Sequence, residues 1–191
     1  MDNRGKVFLE EIYKEAEQKY KMIIHQLDEQ ASDLEVILGN YLSVQMENLY
    51  PLYCKNSDDP PRHVVISYLR TGWLDRHPMY AIAMYNQELF FSQEECLVMW
   101  DVQELSEPLY KMMEEMKEKF KKQTRIEEYY IDEMWLNYGD LLHEWMMMHM
   151  PQIVRNHLRN KKWEEFYRTN FMLISAGEYR NQIKRIFEWR E

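Results

Sequence analysis

The densest group of side chains that could bind a metal ion lies in one short stretch of the sequence, at Asp140, His143, Glu144 and His149. Carboxylates and imidazoles are the ligands of non-haem iron, manganese and zinc sites. Asp140 and His143 are three residues apart, so they share one face of a helix. His149 is rotated off that face, and the stretch matches neither His-Glu-x-x-His nor the paired Glu-x-x-His of di-iron bundles. We therefore expect an ordinary helix surface and no cofactor, with a metal site at Asp140, His143 and Glu144 as the alternative.

A second candidate site is the segment between two predicted strands, which contains Arg70, Trp73, Arg76 and His77. Binding residues tend to collect on such connectors. An exposed tryptophan beside two arginines has the composition of a protein-interface hot spot. The other interpretation is that Trp73 folds back onto the edge of the sheet. The sequence leaves both interpretations open and predicts a protein-binding connector as the first of the candidate sites.

Nucleophilic catalysis has little support. The chain contains no Gly-x-Ser-x-Gly elbow, and its two cysteines, Cys54 and Cys96, lie in no catalytic motif. Cys96 precedes an apolar run and is interpreted as a small buried residue. Two thiols in a chain of this length are typical of a reducing compartment rather than of a disulfide framework.

Composition and charge narrow the choice of partners. The net charge is −9, which argues against nucleic acid, because phosphate backbones are bound through clustered Lys and Arg. The 14 Tyr, 6 Trp and 15 Met include residue types that are enriched at protein interfaces. The sequence has neither a signal-peptide pattern nor a run of about 18 apolar residues, so a cytoplasmic protein without a membrane partner is predicted.

Residues 5–54 are predicted to be a long helix or a pair of helices. Apolar residues recur at steps of three, four or seven, which is typical of an amphipathic helix. Ser32 and Glu35 have the spacing of a capping box, which predicts a break near residues 29–32. Because the apolar stripe approaches heptad spacing, a homodimer through residues 5–54 is compatible with it.

Residues 63–91 are predicted to form a β-meander of three antiparallel strands, His63–Arg70, Met79–Tyr85 and Leu89–Phe91. Residues 92–191 are predicted to be mainly helical. Pairs with capping-box spacing include Asp101 with Glu104.

Within this C-terminal part, Pro151 is predicted to open a separate helix after one that spans about residues 125–149. Residues 171–175 are predicted to form a fourth strand, and Gly177 to open a basic amphipathic tail.

These patterns predict one α+β domain over residues 1–191, dominated by helices, with a small antiparallel sheet of three or four strands. The predicted function is a non-enzymatic protein–protein interaction module with an inhibitor, immunity-type or adaptor role. The alternative is a metal-dependent enzyme or metalloprotein that uses the helix-borne Asp140, His143 and Glu144.

Overall fold

A computed structural model describes residues 3–75, 77–89, 96–122, 129–179 and 182–189 of the chain. Within these residues it contains six helices and five strands, which confirms the predicted α+β class. In chain order they are α1 (Asn3–Glu29), α2 (Ala31–Asn56), β1 (His63–Tyr68), α3 (Thr71–Leu74), β2 (Met79–Tyr85), β3 (Cys96–Asp101), α4 (Gln103–Lys121), α5 (Tyr129–Leu158), α6 (Lys161–Thr169), β4 (Leu173–Glu178) and β5 (Ile183–Glu188).

The N-terminal block is a pair of helices, with the break at Gln30, inside the predicted range of 29–32. The backbone N–H of Gln30 still donates to the carbonyls of Gln26 and Leu27, so the turn continues the hydrogen bonding of the last turn of α1. Pro51 lies inside α2 rather than ending it, and the helix continues to Asn56.

The sheet differs from the predicted antiparallel meander. Its five strands have the order β3-β2-β1-β4-β5, and β1 and β4 are parallel while the other three neighbouring pairs are antiparallel. The fourth strand was predicted, but the tail that was predicted to be a basic amphipathic segment forms the fifth strand. Gly177 lies inside β4 and does not open the tail. A Cβ at Gly177 would lie 2.1 Å from the carbonyl oxygen of Gln182. Only a glycine allows the returning chain to approach so closely.

The third strand was predicted too early. Phe90 and Phe91 lie outside the described residues, and Leu89 has a positive φ of 52° in the turn that follows β2. The strand that pairs with β2 begins at Cys96, where the run of Leu97, Val98, Met99 and Trp100 has the composition of a strand. The predicted capping role of Asp101 is wrong, because α4 is preceded by Val102 without a side-chain cap.

The separate helix predicted from Pro151 is also wrong, because α5 runs through this proline without a break. Pro151 lacks one backbone donor, but Met150, Ile153 and Val154 around it are fully buried. Burial of these side chains outweighs the local cost of the missing hydrogen bond.

The contacts of the backbone group the chain into two compact units. The first contains residues 1–30, 70–78 and 102–145, and the second contains residues 31–69, 79–101 and 146–191. In the first unit α1 packs on α4, and in the second α2 packs on β2 and β3. The prediction of a single domain stays a prediction. None of the helices in the described ranges is long and apolar enough to cross a membrane.

Candidate interaction surface

In the first unit, the connector folds its tryptophan inward. Trp73 is 2% exposed, and its ring lies 6.1 Å from the ring of Trp135 on α5, between centroids. A Cβ at Gly139 would lie 2.7 Å from the indole ring of Trp73, so this glycine provides the space for the ring. Trp73 therefore packs on a helix of its own unit. It is neither the exposed anchor nor the residue on the sheet edge that the sequence suggested.

The charged residues of the connector are placed differently from its tryptophan. Arg70 forms a two-pronged ion pair with Asp140, with its Nη2 atom 2.8 Å and its Nε atom 3.2 Å from the two carboxylate oxygens. His77 is exposed, and Arg76 lies outside the described residues. The protein-binding role predicted for Arg70, Trp73, Arg76 and His77 stays a prediction, but buried Trp73 cannot be the anchor of that surface without a rearrangement.

Of the predicted metal ligands, Asp140 is paired with Arg70, and His143 is half-buried on α5. Burial raises the pKa of Tyr20, and the negative charge of Glu144 adds to this increase. In the second unit, the Nδ1 atom of His149 lies 2.8 Å from a carboxylate oxygen of Glu35. Within the described residues, the structure contains no group of three or more His, Cys, Asp or Glu side chains that could hold a metal ion.

In the second unit, α2 lies against α5 with very close backbones at Gly39. A Cβ at this position would lie 2.8 Å from the Cβ of Asn156 and 2.9 Å from the carbonyl oxygen of Ile153. The contacts advance together along the two helices, from Glu35 with His149 to Ser43 with His157, so α2 and this part of α5 run parallel.

A polar network of three side chains lies beside this contact, with His157 and Tyr167 buried and Ser43 half-buried. The Nδ1 atom of His157 lies 2.8 Å from the hydroxyl oxygen of Ser43, and its Nε2 atom lies 3.3 Å from the hydroxyl oxygen of Tyr167. Because the hydroxyl of Ser43 donates to the carbonyl of Gly39, we assign the imidazole proton to Nδ1, and Tyr167 donates to Nε2. Burial lowers the pKa of His157 to about 3, so the ring is neutral at pH 7.

The pairing of a serine with a histidine resembles a nucleophile with its base, but the details do not fit that chemistry. The proton of Ser43 is directed to Gly39 rather than to the imidazole, and His157 is fully buried among the rings of Trp163 and Tyr167. The network satisfies buried polar groups and fixes the contact between α2, α5 and α6.

The opposite face of α2 is exposed and largely apolar. Val36, Ile37, Val44 and Leu52 are each between 39% and 50% exposed, and Tyr41 is 40% exposed. Ile37 and Leu52 are about 22 Å apart along the helix axis at 1.5 Å per residue. We call these five residues, together with the exposed Asn40, Asn48 and Pro51, the outer face of α2.

Charge lies at the two ends of this surface and along one flank, where the exposed Glu47 is paired with Lys162 of α6. Asp33 lies in the first turn of α2 and Lys55 in the last turn, where each is favoured by the helix dipole. Both side chains are exposed, and neither has an ion-pair partner within the described part of the chain. The outer face is thus an apolar strip with an acidic end and a basic end.

Sequence reasoning missed this surface because it followed a single apolar stripe. Apolar spacing in the sequence groups Leu34, Leu38, Tyr41 and Leu42 into that stripe, but only the three leucines are buried and Tyr41 is exposed. A second series at Ile37, Val44 and Pro51, with steps of seven residues, was present in the sequence and indicated a helix that is apolar on two sides.

Comparisons with known proteins gave no relative: no family, no curated protein and no solved structure matches the chain.

Proposed function

We propose that the protein is a non-enzymatic protein–protein interaction module, with an inhibitor, immunity-type or adaptor role, and that it binds through the outer face of α2. The single observation that supports this proposal is the apolar exposure along α2. Exposed apolar side chains that stand alone are ordinary, but several of them along one side of a single helix are typical of a binding surface.

The presence of apolar residues on two sides of α2 also indicates what kind of surface the partner has. A helix that is apolar on both sides is expected to be covered on both sides. Its inner side contacts the sheet and α5, while its outer side is exposed and presents apolar side chains to a helix or groove of another polypeptide. The homodimer predicted from residues 5–54 was based on the apolar stripe that includes the buried Leu38 and Leu42, so a homodimer is part of this proposal only through the outer face.

The test is a comparison of the native chain with a variant that carries a charge in the strip. Val44→Asp places a carboxylate at the middle of the outer face without touching the buried side of α2. The tagged proteins are used to isolate binding partners, which are identified by mass spectrometry and then titrated as purified proteins. We expect the affinity of a genuine partner, which can be the chain itself, to fall by at least about tenfold.

The matched control is Val7→Asp on α1, where the native side chain is also about half exposed, at 49%. It introduces the same charge outside the outer face and should leave binding unchanged. The far-ultraviolet circular dichroism of both variants should equal that of the native protein. Partners that bind the Val44→Asp variant as tightly as the native chain would contradict the proposal.

A further inference from the structure

We infer that the occupant of the outer face is a second copy of this chain, bound through α2 in the antiparallel direction about a two-fold axis that passes near Val44. This inference rests on the proposed function, because it names the partner of the same surface. It is carried by the distribution of apolar, amide and charged side chains along α2.

The outer face is self-complementary when α2 is reversed on itself. With Val44 on the axis, Ile37 of one copy lies at the level of Pro51 of the other, and each lies only about 20° from Val44 around the helix, so they meet within the seam. Val36 and Leu52 are also level with each other, but each lies about 80° from Val44, so they flank the seam on opposite sides. Exposed apolar side chains thus meet exposed apolar side chains on both sides of the axis. Asn40 lies at the level of Asn48, so the amides can form hydrogen bonds with each other rather than face an apolar partner.

The charges at the ends select the antiparallel direction. Asp33 and Lys55 are equally far from Val44, eleven residues on either side, so each carboxylate meets the other copy's ammonium group. A parallel pair would place Asp33 against Asp33 and Lys55 against Lys55. The antiparallel pair also aligns the two helix dipoles favourably, whereas a parallel pair opposes them.

The spacing of the residues fits two helices that cross at a small angle. Ile37, Tyr41, Val44, Asn48, Pro51 and Lys55 follow one another at alternating steps of four and three. This is the spacing that keeps one seam of a helix against a neighbour over several turns. A polar asparagine within such a seam restricts the register of the pair, as Asn48 would here.

The size of the surface predicts a weak dimer. A strip about 33 Å long and about 10 Å wide covers on the order of 300 Å² per copy, below the roughly 800 Å² per partner of a standard stable interface. We expect a reversible dimer with a dissociation constant between about 10 µM and about 1 mM, so the chain is largely monomeric when dilute.

The first experiment exchanges the charges at the two ends. In sedimentation equilibrium on the full chain, Asp33→Lys and Lys55→Asp should each weaken self-association by about tenfold, because each variant opposes like charges at both ends of the dimer. An equimolar mixture of the two variants should associate about as strongly as the native chain, since every end pair is complementary again. A mixture that associates no better than the separate variants overturns the inference.

The second experiment determines the direction by cross-linking. In a Cys54→Ser background, which removes the exposed native thiol, Val44→Cys should give a disulfide-linked dimer under mild oxidation. Ile37→Cys is the matched control, because in the antiparallel pair the two copies of residue 37 are about 21 Å apart along the axis and cannot link. Efficient linking at residue 37, or none at residue 44, overturns the antiparallel arrangement.

The second-copy inference and the proposed function can fail separately. A native chain that stays monomeric at about 1 mM overturns the second-copy inference. The proposed function survives that result if a different protein binds the native chain and Val7→Asp but not Val44→Asp. It fails if every partner tolerates the charge at residue 44.

Discussion

Helices α1 and α2 come from one continuous helical block of the sequence, yet their outward sides are opposite in character. On α1, the exposed positions are mainly charged or amide residues, including Glu10, Glu11, Lys14, Glu17 and Lys21. On α2, apolar residues alternate with amides, and the few charges lie mostly near the ends. The buried sides are alike, with Ala16 on α1 and Leu38 on α2 both fully covered.

The difference shows that α1 has the charged exposed side of an ordinary surface helix, whereas α2 exposes apolar side chains. In the first unit, the exposed side of α1 is rich in charged residues, and at its border Lys19 and Glu15 form ion pairs with Glu115 and Lys119 of α4. In the second unit, the outward side of α2 holds apolar area in contact with water, which costs free energy until a partner covers it. The contrast between these two helices is the basis of the proposed function.

The largest expected effect is a difference in the free energy of unfolding between two variants at neighbouring positions, one on the buried side of α2 and one on its outer face. Leu38 is fully buried, so Leu38→Ala should lower the free energy of unfolding by about 3 kcal/mol through lost burial and a cavity. Ile37 is 41% exposed, and Ile37→Ala should change it by less than about 1 kcal/mol. Urea denaturation of the dilute chain measures both. Similar losses for the two variants would mean that the outer face is already covered within the monomer.

The next effect is the pH dependence of the contact that holds α2 against α5. The pKa of His157 is lowered in the folded chain to about 3, and the groups that face its ring, Ser43 and Tyr167, are neutral at pH 7. Below a pH of about 6.5 the unfolded chain binds a proton that the folded chain does not, so this residue lowers stability as the pH falls, by up to about 1.4 kcal/mol per unit down to about pH 3.

The measurement for His157 is the free energy of unfolding at pH 7 and at pH 5, for the native chain and for His157→Gln. The variant should be less stable at pH 7 but should lose less stability on acidification. His25→Gln serves as the control variant, because it removes an exposed imidazole on α1 instead of the buried one. Equal slopes for the native chain and His157→Gln would show that the buried imidazole does not titrate on unfolding.

A smaller effect concerns the close approach of α2 and α5. Gly39→Ala should destabilise the chain by about 1 to 2 kcal/mol, because the new Cβ meets backbone atoms of α5, which move only with the helix. Asn40→Ala, at the exposed neighbouring position, is the control and should be neutral or slightly stabilising from helix propensity. Thermal denaturation of the two variants compares them directly. A stable Gly39→Ala variant would contradict the backbone contact.

The smallest effect is on α1. Lys19→Ala removes the exposed ion pair in which the Nζ atom of Lys19 lies 2.5 Å from a carboxylate oxygen of Glu115. The loss should lower the free energy of unfolding by about 0.5 kcal/mol at low salt. The loss should shrink further in about 1 M salt, where such pairs are screened. Lys6→Ala, at an exposed position near the start of α1, is the control and should show no salt-dependent loss. A salt-independent loss for Lys19→Ala would indicate packing by its aliphatic stem instead.

The sequence predicted those features that depend on local periodicity. The position of the break between α1 and α2 was predicted from Ser32 and Glu35, although α2 begins at Ala31 and Ser32 lies inside it rather than capping it. The first two strands were predicted from their β-branched and aromatic composition. The parallel partner of β1 could not be derived in this way, because pairing of His63 with Leu173 depends on all the chain between them. The inward position of Trp73 likewise depends on Gly139, far along the sequence.

The sequence predicted a protein-binding surface but not its position on α2. A protein-binding role followed from composition, but its location was assigned to the connector at Arg70, Trp73, Arg76 and His77. Which of two apolar sides of a helix is covered is decided by the rest of the fold, and no local pattern contains that information. The buried network at His157 was missed for the same reason, since Ser43 and Tyr167 approach it from two other helices.

The parallel pairing of β1 and β4 has a consequence for how the protein is made on the ribosome. Strand β1 lies at the centre of the finished sheet, but it receives its second neighbour only when residue 173 has been synthesised. Until then β1 is an edge strand of the nascent chain, with unpaired backbone groups and the apolar side chains of Val64, Val65 and Ile66 beside them. The interval between the two strands is therefore the period in which the nascent chain is most prone to aggregation, and slow completion of the sheet should limit its rate of folding.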